Sequence, residues 1–265
     1  MTYFPQMTTG AIGQYPLSLR RIQRTIVNEC LDGQRIKLSD PGAALVRWQF
    51  DLRELLDAER NAIQQLFQSA EGRLNSFTLL DPTGNLLAWS EKLDEPVWQK
   101  SPALSLASGF PDPVGSSRAT HVNNTSGTDL TLDQTLNAPG WFSYCLSVYS
   151  RSDQSSTLTM TQQTPAGISR RSFLLQSAWR RFALTAKSDT TAESISFGLE
   201  IANNASIDLF GIQVEAQPGA SAYKRTASAN GVYANARFDD DKLTITTYGP
   251  GRHACSLAIV SQPNG

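Results

Sequence analysis

The sequence predicts a mainly β protein with one main helix, in which an α+β domain is interrupted by a β-sandwich of jelly-roll type. Three observations predict it. Short β-type runs recur along the chain, with a period-two alternation at Val46–Arg53 that is the signature of a strand with one buried face, and a helical period occurs once, after Asp57. Between residues 103 and 217, 30 of 115 residues are Ser or Thr and 16 are charged, against 31 charged among the other 150, a composition shift that marks a domain boundary. The segment 227–265 holds two or three strands, too few for a core of its own, so it is expected to complete the sheet begun by residues 1–102.

Residues 17–39 read as a hairpin, with Leu31-Asp32-Gly33 between two strand-like runs, because Gly accepts the positive φ such a turn requires. Val46, Trp48, Phe50 and Leu52 then alternate with Arg47, Gln49, Asp51 and Arg53 as a strand. Asp57 reads as an N-cap, and Ala62, Ile63, Leu66 and Phe67 as the apolar face of a helix that stops near Gly72. Strands SFTLL (76–80) and LLAW (86–89) flank the turn Asp81-Pro82-Thr83-Gly84. From 103 to 226 the runs TLTM, RRSFLL, RRFALTA, SISFGLEI and SIDLFGIQVEA give strand after strand with polar turns, which argues for a sandwich. VYANARF, LTITTY and HACSLAIV close the chain. The expected domains are thus 1–102, 103–226 and 227–265, the first and last forming one discontinuous domain.

Composition excludes several classes. With 23 basic and 24 acidic side chains the formal charge is -1, so no global attraction draws the chain to nucleic acid or anionic lipid. The stretch Met1–Leu19 has no charge before Arg20, and polar residues, Gly and Pro interrupt it, so it reads as neither a signal peptide nor a membrane span. Cys30, Cys145 and Cys255 have no metal-site spacing and read as small buried hydrophobes of a protein made in a reducing cytoplasm. The sequons at Asn123, Asn124 and Asn204 carry no weight without a signal peptide.

No chemistry is expected. The two histidines, His121 and His253, accompany no GxSxG elbow, HExxH or EF-hand spacing, and no GxGxxG or P-loop occurs, so no catalytic, cofactor or metal site is assigned. The carboxylates and tryptophans of the insert (Asp129, Asp133, Asp208, Glu215, Trp141, Trp179) have no spacing specific to a glycosidase and read as turns and core. The pairs Arg170/Arg171 and Arg180/Arg181 read as edge-strand charges rather than an anion site. Trp141 and Tyr144 open a run in which Phe142, Tyr144, Leu146 and Val148 share one face, and core packing is preferred over a sugar platform.

Two stretches resemble known proteins. GAIGQYPL followed by RWQFDLRELLDAERNAIQQLFQSAEGRLNSFTLLDP resembles the N-terminal domain of tail-tip proteins of long-tailed bacteriophages, on Trp48, Leu56, Asp57, Glu59, Ile63, Phe67, Gly72, Phe77, Asp81 and Pro82. The insert is similar to the carbohydrate-binding-module-like (galectin-like) jelly rolls of phage tail proteins, on Gly211, Gln213, Glu215, Pro218, Gly219, Ala222, Tyr223 and Thr226. Together they resemble the distal tail protein, a baseplate ring component. The resemblance implies a structural, non-enzymatic virion protein at the tail tip, self-associated as a ring, usually a hexamer, between the tail tube protein and the hub or receptor-binding proteins. Residues 1–102 and 227–265 would then form the belt and the sandwich would project outward. The alternative is a host-glycan-binding adhesion module, with a glycan-degrading tail enzyme as the remote third reading.

Overall fold

The computed structural model describes residues 2–264; Met1 and Gly265, the outer ends of the first and last expected segments, lie outside the described residues. In chain order the elements are β1 (Ser18–Glu29), β2 (Arg35–Leu55), α1 (Asp57–Ala70), β3 (Phe77–Leu80), β4 (Gln99–Lys100), β5 (Leu104–Phe110), β6 (Ala119–Asn124), β7 (Leu130–Leu136), β8 (Ser143–Arg151), β9 (Thr157–Thr164), β10 (Gly167–Leu174), β11 (Arg180–Lys187), β12 (Ile195–Ile201), β13 (Ser206–Glu215), β14 (Val232–Phe238), β15 (Ile245–Gly249) and β16 (Arg252–Ser261). The protein is mainly β, with one α-helix among the described residues. It divides into two units: one takes the chain up to Thr8, Gly13–Leu79 and everything from Tyr233 onward; the other takes Thr9–Ile12 and Leu80–Val232.

The first unit is a sheet of order β1-β2-β16-β14-β3, with β15 also paired to β16. Strand β16 runs antiparallel to β2 from His253↔Leu55 to Ser261↔Val46, which sets Trp48 opposite Ile259 and Phe50 opposite Leu257. Val46, Trp48, Phe50 and Leu52 are buried together with Leu257 and Ile259. Each such apolar side chain is worth about 1.5–3 kcal/mol when removed from water. Helix α1 lies on β2 and β16, burying Ile63, Leu66 and Ala70, which recur at helical spacing. Phe67 meets Phe238 edge-on at 5.0 Å, and Trp48 meets Tyr233 at 4.6 Å.

The helix starts one residue earlier than expected. Leu56 is the N-cap, with extended backbone, and Asp57 is the first helical residue. Leucine offers no capping oxygen; instead Glu59 reaches back, its Oε2 accepting from the Leu56 N–H at 2.8 Å and its Oε1 from the Thr8 N–H and hydroxyl at 2.8 Å each. At the other end Glu71 and Gly72 both take left-handed φ, and their N–H groups bond to the carbonyls of Gln68 and Phe67.

The hairpin forms with its turn at residues 30–34 but is longer than expected. The run at Val46–Arg53 is not a separate strand: β2 continues from Arg35 through Asp40-Pro41-Gly42, which is absorbed as a bulge between Ile22↔Leu45 and Arg24↔Asp40 rather than breaking the chain. The outer part of this hairpin is an arm whose residues are largely exposed. Cys30 sits half-buried at its turn, so it is not the core hydrophobe expected; Cys145 and Cys255 are buried.

The second unit is a jelly-roll-like sandwich of two antiparallel sheets, β10-β9-β12-β7-β4 and β11-β8-β13-β6-β5. Phe142, Tyr144, Leu146 and Val148 are buried, and Tyr144 meets Phe197 of the other sheet edge-on at 5.3 Å. The arginine pairs lie on β10 and β11, each an edge strand of its sheet, where charge discourages further pairing.

The boundaries fall at 79/80 and 232/233, not at 102/103 and 226/227. Residues 81–101 belong with the sandwich because their backbone bonds go there: Asp81 to Gly231, Leu86 to Val214, Trp89 to Ala227 and Ser101 to Thr131. The expected strand LLAW is irregular. Buried side chains take the place of a neighbouring strand: Asn85 Oδ1 accepts from Leu87 and Val214, and Gln134 both accepts from and donates to the Ala88 backbone.

Burial opposes ionisation of Glu59, but the Leu56 and Thr8 hydrogen bonds outweigh it and hold its pKa below the usual carboxylate value. Its stabilising contribution is therefore complete above the ordinary Glu pKa and is lost as pH falls through the lowered one. Glu59→Gln should cost about 1–3 kcal/mol in urea unfolding at neutral pH, and the difference from the parent should shrink in acid. In thiol titration Cys30 should react in the folded protein, whereas burial raises the pKa of Cys145 and pushes that of Cys255 up to about 11, so both should react only on unfolding.

Candidate functional site

Residues 206–226 determine which part of the sandwich surface stays open. Ser206, Asp208 and Phe210 alternate along β13 and share a face; a bulge between Phe210 and Gln213 then shifts the register against β8. Gly211 makes that bulge with φ of +64°, and a Cβ there would meet the Tyr223 ring at 3.2 Å. Tyr223 covers Phe210 at 5.3 Å. Gln213 accepts from the Lys224 N–H at 2.7 Å, Glu215 from the Ser221 N–H at 3.0 Å, and the Thr226 N–H donates to Ser90. The segment 217–226 is thus a clasp over one half of β13. Burial keeps the Tyr223 phenol protonated well above its ordinary range, and it donates to Glu91, which also pairs with Arg118 and Arg225 at 2.9 Å each.

Beyond the clasp lies an open cleft of about 340 Å³, lined by Phe110, His121, Arg151, Asp153, Gln154 and Asp208, with Ser152, Ser206 and Ile207. Asp208 organises it. Strand pairing sets Asp208 directly opposite His121 on β6 and opposite Arg151 on β8. Its Oδ1 lies 2.8 Å from His121 Nδ1, and its Oδ2 accepts from Arg151 Nε at 2.8 Å. On the far side of the imidazole, Ser206 Oγ lies 3.0 Å from Nε2. Phe110 stacks on the imidazole with centroids 4.9 Å apart and planes 20° apart, and the Arg151 guanidinium sits 5.1 Å above the Trp179 ring. The Asp208 side chain is 12% exposed and that of His121 33%, so the anchor is sheltered and the imidazole is open to solvent.

The other residues considered from sequence serve the fold. Asp129 accepts from the Asn203 N–H, Asp133 from the Ser196 hydroxyl, and Glu215 holds the clasp. Arg170 pairs with Glu200 at 2.9 Å. Arg181 lies over Tyr149 and bonds to Ser147 Oγ and the Ser221 carbonyl. His253 is buried between Asp57 and Thr247 in the first unit. Trp141 lines a shallow depression with Lys187, Ser188 and Asp189. Among the described residues no group of three or more His, Cys, Asp and Glu is gathered to hold a metal ion. Sequence reasoning missed Ser206, Arg151 and Phe110, and it did not join His121 to Asp208. The Ser206/Asp208 alternation was readable, but the histidine reaches it only through the β6–β13 pairing.

No protein-family model matches the chain, and no curated protein matches it. Solved structures similar to it include the enzymatically active domain of tailspike protein 4 of bacteriophage CBA120, at 14% identity and a TM-score of 0.41, covering 52% of this chain. The chain spans only 22% of that tailspike structure. A family 61 carbohydrate-binding module in complex with β-1,4-galactotriose matches at 10% identity and a TM-score of 0.41, over 49% of this chain and 97% of the module. The xylan-binding family 22 module of Paenibacillus barcinonensis Xyn10C matches at 13% identity and a TM-score of 0.41, over 52% and 97%.

Removing the anchor tests the cleft's architecture. Asp208→Ala leaves the Arg151 guanidinium and His121 without their acceptor and should cost about 1–3 kcal/mol in urea unfolding, whereas Arg151→Ala, which leaves the His121–Asp208 bond in place, should cost less.

Proposed function

We propose that the sandwich is a carbohydrate-binding module and that its binding site is the Asp208 cleft. The observation that carries this reading is the set of fixed donors and acceptors (His121, Arg151, Asp208, Ser206) beside the aromatic wall of Phe110 in an open cleft. Sugars present hydroxyls in fixed directions on a weakly apolar ring face. A site held in place before the ligand arrives avoids the entropy of ordering its own side chains on binding. The ligand class is a neutral or weakly charged glycan of a cell surface, which makes the protein an adhesion component. On a glycan array the protein should bind a discrete set of saccharides, and Arg151→Ala or Phe110→Ala should weaken binding at least tenfold. Uniform silence across the array would reject the reading.

A second reading, a ring component of a distal phage tail seated between tube and hub proteins in the virion, is favoured by the hairpin arm. Ile26 stands opposite Leu38, and Ile36 precedes Leu38 by two residues on the same strand, so the three share a face, with Ile36 50% and Leu38 49% exposed. Such an apolar row on a two-stranded ribbon with an open edge at β1 suits burial against another copy of the chain in a closed ring. Light scattering of the purified protein should then give a cyclic oligomer, the expected copy number being six, and Leu38→Asp should release monomers. A protein that stays monomeric at high concentration contradicts it.

A further inference from the structure

Ser206, His121 and Asp208 are connected in the order a nucleophile, a base and its orienting group require. We propose that this cleft hydrolyses the ester of a small carboxylic acid carried on a sugar hydroxyl, a proposal that rests on the carbohydrate reading above. Asp208 Oδ1 lies 2.8 Å from His121 Nδ1 and, being a carboxylate oxygen, can only accept there; in the neutral imidazole Nε2 is then the acceptor that faces Ser206 Oγ at 3.0 Å. A cross-strand polar pair would need only the first of these contacts. Asp208 is itself fixed by Arg151 on its second oxygen, and Phe110 stacks on the ring, so two further groups hold the imidazole in its plane. The sheltered end of the chain of hydrogen bonds is the carboxylate, and the end open to the cleft is the Ser–His pair. These are the roles that define a catalytic triad irrespective of fold or sequence order.

In the first step Ser206 Oγ bonds to the ester carbonyl carbon as its proton passes to His121 Nε2. The carbon–oxygen bond to the sugar then breaks, and the departing sugar oxygen takes that proton. Water attacks the acyl-Ser206 ester with His121 again accepting a proton, the acid leaves, and the proton returns to Ser206 Oγ. Arg151 and Gln154 line the same cleft, and in the proposed reaction their side-chain N–H groups not held by Asp208 take the role of donors to the oxyanion formed in each step. Ser206 and His121 are the catalytic residues, and Asp208 is a positioning residue.

A fluorophosphonate, which captures an activated serine by losing fluoride, should form an adduct on Ser206 of the full chain, located by tandem mass spectrometry. The adduct should be absent in Ser206→Ala and form at least tenfold more slowly in His121→Gln and in Asp208→Asn, each checked for native circular dichroism. The parent should also release acetate from a peracetylated monosaccharide. A folded parent that neither labels at Ser206 nor releases acetate overturns the proposal. Glycan binding that persists in that protein leaves the binding reading standing, so the two failures are distinguishable.

Discussion

The antiparallel pairing of β16 with β2 is the constraint on which the rest of the chain depends. It brings residues 253–261 back to residues 46–55, roughly two hundred positions away, and the core of the first unit forms around it. Trp48 and Phe50 are buried beside Ile259 and Leu257, with the Tyr233 ring against Trp48 and the Phe4 ring against Phe50. Loop closure over such a distance costs only modestly more than over a short one, because its entropy grows with the logarithm of length. A whole β-sandwich can therefore occupy the connection. Its two ends leave and rejoin through β3 and β14, which are neighbours in the same sheet.

Within the sandwich the same logic recurs at the scale of single side chains. Asp208 is a nearly buried carboxylate, costly to hold without partners, and strand register supplies both partners at 2.8 Å. The bulge at Gly211 is what separates the open end of β13 from the end covered by Tyr223. Without it the strand would keep its register, and the clasp would have no seat for the Tyr223 ring. Gln213, Glu215, Tyr223 and Thr226 are thus fold-forming: they bind the clasp, and the Asp208 cleft lies just before them.

What was legible in the sequence was what local chemistry decides. Asp32-Gly33 marks the hairpin turn, the alternation from Val46 to Arg53 marks a half-buried strand, and the arginine pairs mark β10 and β11 as edges. The departures have physical causes. The hairpin to residue 39 and the run from Val46 read as separate elements, yet a bulge carries one strand through Asp40-Pro41-Gly42. Leu86–Trp89 reads as a strand, yet Asn85 and Gln134 satisfy its backbone in place of a ladder. Asp57 has the ideal capping side chain, but its carboxylate is drawn to His253 at 2.8 Å, and Glu59 closes the first turn instead. The cleft was the least legible part: His121 and Asp208 lie 87 residues apart and meet through strand pairing, which no local spacing records.

We propose that ligand enters the sandwich at the Asp208 cleft. Hydrogen–deuterium exchange with and without the saccharide selected on a glycan array tests it most directly. Added protection is expected at residues 119–124, 151–154 and 206–210, with the first unit unchanged. Protection confined to other surfaces, such as the depression at Trp141 and Lys187, would contradict it.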